Sequence, residues 1–290
     1  MGRGLVFGLM AAFCWGAHSV IVRYLTSGMS GLQIGAMRLL IAAATIFLML
    51  KLMRATISIN WRDRNFQLAV IFTVINYVFF HVGLQYTGAA NAMVLENTAP
   101  IFVLLFLYVF AKAAVGWRQL TATGMTIIGV MLTVANDLEL DGTRLTGDLL
   151  ELAAGISWAG FLIASSRAML ASDSTQERLN FLLGVFLCAG VLMSPLILIN
   201  PAVPSLNDSL FLILLGLVPT ALAYYLWYEA AARISTLSAT LMFALSVVFT
   251  FINAAIFLGE TVSWLGALGA VLIVIAIMLI SKDTHPDRQT

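Results

Sequence analysis

The chain has 290 residues, of which 61% are hydrophobic and 10% charged, with a mean hydropathy of +0.99. That composition excludes an ordinary soluble domain and predicts an all-α integral membrane protein. A net charge of +1, with no dense basic tract, gives no reason to expect nucleic acid as a partner.

Ten apolar runs are long enough to cross ~30 Å of hydrocarbon at ~1.5 Å per residue. They lie near 4–26, 31–52, 66–86, 89–111, 119–136, 147–168, 179–199, 209–231, 235–257 and 263–281. The first run is too long for a signal peptide, and no A-x-A pattern follows it, so it reads as a first span. It places Trp15 near mid-membrane, too deep for interface anchoring, and His18 one turn further on. Arg38 in the second run and Glu96 in the fourth fall at similar depth, ~12 Å below the outer ends of their helices. Unpaired charges at that depth are costly, so mutual pairing is the economical expectation, with a structural or gating role for the pair. Binding of a substrate carboxylate by Arg38 is the sharper alternative.

The third run carries Thr73, Asn76, Tyr77, Phe80 and His81 at spacings of three and four, which gathers them on one helical face. The fourth adds Asn91, Asn97 and Thr98 before Pro100, where a kink freeing backbone carbonyls is expected. The sixth carries Trp158 at a position equivalent to Trp15, and the eighth carries Thr220, Tyr224, Trp227 and Tyr228 after Pro219, a second candidate kink for which an ordinary membrane-helix proline is the alternative. Two such stripes facing each other make a cavity wall for an amphipathic solute; a purely packing role is the alternative. His18, His81 and Glu96 are candidate proton carriers, and hydrogen-bonded structural roles are as common for the histidines. Glu229 and Arg233, four apart near a helix end, are expected to pair or to sit among headgroups. Cys14 and Cys188 lie in apolar runs and read as core residues. Neither a metal site nor a cofactor is expected.

The chain repeats itself. Residues 73–132 laid over 220–279 put Tyr77 on Tyr224, Phe102 on Phe249 and Trp117 on Trp264, and a slightly shorter shift puts Trp15 on Trp158. The polar stretch from Asp137 to Arg144 divides the runs five from five, predicting repeats at 1–138 and 139–290. An odd number of spans per copy means that the second enters the membrane inverted. Lys and Arg gather on one side of the ten-span arrangement, which predicts cytoplasmic termini in an inner (plasma) membrane.

Leu258-Gly259-Glu260, the run Leu9 to Gly16, Arg38-Leu39-Leu40-Ile41-Ala42 and Asn97 to Phe102 resemble signatures of the drug/metabolite transporter superfamily, specifically its ten-helix EamA-type exporters. Val247 stands where the second copy would repeat Pro100, and Ala111-Lys112-Ala113 replaces the first copy's Leu-Gly-Glu, so the halves are not strictly equivalent. The resemblance implies secondary active or facilitative export of small amphipathic metabolites, aromatic or large neutral amino acids foremost, by alternating access. It also implies a site between the first, third and fourth spans and their counterparts, the other spans being scaffold. Expected substrate-binding residues are Trp15, Tyr77, Phe80, His81, Asn97, Trp158, Tyr224 and Trp227, in a monomer or weak homo-oligomer moving a small molecule and, in one variant, protons. Broad drug export on the same fold is the alternative. A membrane-embedded enzyme is disfavoured by short loops and by the lack of Ser/His/Asp or H-E-x-x-H spacing.

Overall fold

The computed structural model describes residues 2–26, 28–84, 86, 95–112, 115–133, 145–253, 256 and 264–280, and all their regular secondary structure is helical. In hydrocarbon no water is available to backbone N–H and C=O groups, and a helix satisfies them within its own segment. Thirteen α-helices are described, besides a 3₁₀ stretch Ser194–Leu198 and a π turn Gly216–Leu222: α1 (Gly2–Gly16), α2 (His18–Leu25), α3 (Gly31–Leu52), α4 (Arg64–Gly83), α5 (Ala99–Ala111), α6 (Trp117–Thr133), α7 (Leu145–Leu170), α8 (Thr175–Met193), α9 (Leu206–Leu215), α10 (Ala223–Ala231), α11 (Thr236–Phe243), α12 (Leu245–Asn253) and α13 (Trp264–Ile280). Five stretches, Gly31–Leu52, Arg64–Gly83, Leu145–Leu170, Thr175–Leu198 and Leu206–Ala231, are each long and apolar enough to cross a membrane. The polar connection at 137–144, the Leu258-Gly259-Glu260 motif and Asn91 lie outside the described residues.

Polar side chains set several helix starts. Ser30, Asp63 and Ser174 accept from the backbone N–H groups of Gln33, Phe66 and Glu177, and Ser205 with Asp208 forms a capping box. Two apolar runs that read as single spans are interrupted. The first breaks at Ala17 between α1 and α2, and the ninth at Ala244 between α11 and α12. The Thr250 hydroxyl donates to the Gly16 carbonyl at 3.1 Å, serving one of the acceptors left by the first break.

α4 lies along α7, α1 along α10 and α12, α3 along α8, and α6 along α13. The seam between α7 and the segment before α5 requires a glycine. A Cβ on Gly155 would stand 2.8 Å from the Leu95 carbonyl oxygen and 3.2 Å from that of Glu96. Gly155→Val is therefore expected to cost ~1–3 kcal/mol by overpacking backbone that cannot give way, read as a lower thermal midpoint in detergent. An unchanged midpoint would contradict this tight seam.

Many large apolar side chains face outward, Phe110 and Leu198 among them, as suits a lipid-facing surface. Trp117 and Trp264 occupy the exposed first positions of α6 and α13. Where α8 begins and α10 ends, the expected Glu229 and Arg233 pair forms at 2.7 Å and gains a third member. Arg178 meets both Glu229 oxygens, at 2.7 and 3.3 Å, and the Thr175 hydroxyl also donates to Glu229. The carboxylate is buried in protein, with no place among headgroups.

Candidate functional site

A cavity of about 600 Å³ opens among these helices. Its floor is a cluster of rings from four of them: Trp15 of α1, Trp158 of α7, Tyr224 of α10 and Phe243 of α11. Trp15 meets Trp158, Tyr224 and Phe243 edge-on, with centroids 6.0, 5.4 and 5.1 Å apart, the arrangement that aromatic quadrupoles favour. From this floor the cavity runs away from the N-terminal end of the chain to Thr26, Met29 and Ser30 at the α2–α3 corner and Leu84 beyond α4.

One wall is cationic. Arg38 of α3 is buried, with its Nε donating to the Thr220 hydroxyl at 3.1 Å and its Nη1 to the His18 Nε2. Its guanidinium carbon also lies 4.9 Å from the centre of the Tyr77 ring. Thr220 is available because of Pro219. That proline lies inside a π-helical turn, Gly216–Leu222, and lacks the N–H that would bond the Leu215 carbonyl. The Thr220 hydroxyl donates to that carbonyl as well, at 2.7 Å, while accepting from Arg38. The expected kink is thus a π turn, and it fixes the guanidinium.

The lining also includes Glu96 and Asn97, just before α5, and Asn76 of α4. Asn76 donates to the Ala154 carbonyl at 3.0 Å and lies 3.5 Å from Glu96 Oε1. The expected ion pair between Arg38 and Glu96 does not form, since Arg38 is held by His18 and Thr220 and Glu96 by Asn76. Helical spacing gives depth but not direction, and the two side chains reach one void from different elements without meeting. Pro100 also departs from its expected interior position. It stands in the first turn of α5, where its missing N–H costs no hydrogen bond, and the chain turns at Asn97 and Thr98 just before it.

Trp15, Tyr77, Phe80, His81, Asn97, Trp158 and Tyr224 all line the cavity, as do Arg38, Glu96 and His18. Trp227 does not. It follows Tyr224 by three residues, ~300° around the helix, and packs its indole against Phe161 and Tyr228. His81 is fixed by its Nδ1–H donating to the Tyr77 carbonyl at 2.7 Å. Trp158 Nε1 and His81 Nε2 are buried without a hydrogen-bond partner, groups that a polar ligand would satisfy, while the Tyr77 hydroxyl has that of Tyr224 beside it. The second span, expected to be scaffold, contributes Arg38 and its own first turn to the wall.

Sequence reasoning missed Phe243, although the repeat shift that aligns Ala92 with Ala239 also puts Phe243 on Glu96. It also missed Glu151, whose signal is a second carboxylate one turn beyond Asp148, inside the apolar run of α7.

A family model for EamA-like transporters matches the chain twice, over residues 2–135 and 145–282. The chain belongs to the EamA-like transporter family. It is accordingly an all-helical, multi-pass membrane transporter of the drug/metabolite superfamily. An uncharacterized transporter of Archaeoglobus fulgidus is 30% identical over 72% of each chain. A probable amino-acid metabolite efflux pump of Escherichia coli is 24% identical over 94% of this chain and 93% of its own. A probable terminal-alkyne amino-acid exporter of Streptantibioticus cattleyicolor is 24% identical over 73% and 70%. A solved crystal structure, 16% identical, matches with a TM-score of 0.83 over 98% of both chains, a likeness of fold alone.

Proposed function

We propose that this protein exports a small zwitterionic metabolite, an amino acid with a large neutral or aromatic side chain, by alternating access. The carrying observation is that Arg38 and Glu96 both line this cavity and are each held by other partners instead of by one another. Opposite charges held apart over a floor of rings complement a carboxylate, an ammonium and an apolar side chain. The volume lies within the range of small-molecule sites, and the names of two relatives as amino-acid exporters or efflux pumps support the same class.

The transporter is read as ten spans in two inverted five-span repeats, 1–138 and 139–290. The two family matches support this, as does a contact pattern that maps onto itself when the halves are exchanged: α4 on α7 corresponds to α10 on α1. With the termini cytoplasmic, as the Lys and Arg distribution favours, the cavity mouth faces outward and the ring floor closes the cytoplasmic side. Substrate then shifts the balance of the two states only by binding them unequally.

Counterflow of labelled phenylalanine, leucine, glutamate and lysine in proteoliposomes tests the proposal. Phenylalanine and leucine are expected to exchange, and the charged amino acids to do so at least about 10-fold more slowly. Indifference to all large neutral and aromatic amino acids, while another metabolite is moved, would overturn the assignment. Trp15→Ala combined with Trp158→Ala is expected to weaken phenylalanine about 10-fold or more, through loss of ~1.5–3 kcal/mol of aromatic burial. Full affinity in that double variant would remove the rings from the mechanism.

A further inference from the structure

Glu151 lies in α7, about two turns from its start, and is 0% exposed. Both of its carboxylate oxygens are buried with no hydrogen-bond partner. The opposing helix makes room for them: a Cβ on Gly83, the last residue of α4, would stand 2.6 Å from Glu151 Oε1 and 2.9 Å from the carboxyl carbon. Two further acidic groups act on it electrostatically, Glu96 from the segment before α5 and Asp148 one turn earlier on α7. The nearest titratable group of α4, His81, turns its ring to Gly35 of α3. Among the described residues no Lys or Arg pairs with Glu151. Glu151 is not part of the cavity wall, whereas Glu96 is.

An ionised carboxylate has no support in such a place. Dry burial without a donor or counter-ion penalises the charge, and the neighbouring carboxylates repel it. A metal ion would need several oxygen ligands, and among the described residues no group of three or more His, Cys, Asp or Glu side chains stands together. A proton neutralises the group without a coordination shell. We propose that Glu151 is the proton-binding site that couples transport to a proton gradient, separate from the substrate cavity but linked to it through Glu96. The proposal rests on the transporter reading above.

In the conformation described here the carboxyl group holds its proton and the α7 seam stays closed. When the seam parts and water enters, the carboxyl O–H bond breaks, the electron pair stays on the oxygen and the proton passes to water. With Glu96 also ionised, two negative charges then face each other across the Gly155 contact and oppose its closure, until a proton returns to Glu151 or a substrate ammonium reaches Glu96.

Glu151→Gln preserves shape and removes the exchangeable carboxyl. In proteoliposomes, wild type is expected to accumulate labelled phenylalanine against its gradient when a pH gradient is imposed and not when a sodium gradient is. The variant should keep counterflow within about threefold of wild type and lose the response to pH at least 10-fold. Infrared difference spectra across a pH titration should show a protonated-carboxyl carbonyl component that Glu96→Gln keeps and Glu151→Gln loses, the other carboxyls titrating alike in all three. Retained pH-driven accumulation in Glu151→Gln, a sodium-driven wild type, or spectra in which Glu151→Gln loses no component would each overturn the proposal. The spectra need no knowledge of the substrate, so failure of phenylalanine to bind, measured by tryptophan fluorescence, would sink the substrate assignment while they still decide Glu151.

Discussion

Arg38→Ala is expected to weaken phenylalanine binding about 100-fold, equivalent to ~2.7 kcal/mol, because a carboxylate in the cavity loses its one buried guanidinium partner. The decisive control is phenethylamine, which has the ring and the amine but no carboxylate. Arg38→Ala should change its affinity less than about threefold, whereas Glu96→Gln should weaken both ligands. Arg38→Lys is expected to recover little, since an ammonium cannot reproduce the planar fork that donates to Thr220 and His18 and also offers an N–H to the ligand. Equilibrium binding in detergent, with elution profile and thermal midpoint monitored, reads all three variants. Equal losses for phenylalanine and phenethylamine in Arg38→Ala would show that the arginine only holds the helices together.

Glu229→Ala is expected to be the most destabilising single change in the described structure. Arg178 would be left buried and unpaired, and removal of one partner from a buried ion pair costs ~3–5 kcal/mol. Arg233→Ala gives the contrast: its side chain is 36% exposed, so its loss should cost ~1 kcal/mol or less. Thermal unfolding in one detergent, wild type beside both variants, measures the difference. A Glu229→Ala midpoint equal to that of Arg233→Ala would mean that Arg178 finds water or another acceptor.

Membrane character was legible because composition and run length report directly on the solvent around a helix. The aromatic floor was partly legible. Trp15, Trp158 and Tyr224 announced themselves by recurring at equivalent places in the two halves and at depths where interface anchoring makes no sense. Partner choice was not legible. Arg38 meets Thr220, 182 residues away in the chain, and only the packing of α3 against the π turn brings them together. The same limit produced the unrealised Arg38 and Glu96 pair and misplaced Trp227, because depth follows from counting residues and azimuth from the packed neighbour. Glu151 was hidden for a different reason. With Asp148 one turn before it, the local pattern reads as the acidic start of a helix, until burial shows both Glu151 oxygens stranded.

The π turn at Gly216–Leu222 makes residue count itself a property of the pathway. Each added residue advances a helix by ~100°, so the extra residue accommodated here fixes the angle at which everything after it presents its side chains, Tyr224 first. Removing one residue from this turn would leave every side chain of the wall chemically intact and swing the following face out of register with Trp15 and Trp158. A transporter of this design can therefore be retuned by an insertion or deletion no larger than a single amino acid, at a point that touches no substrate atom.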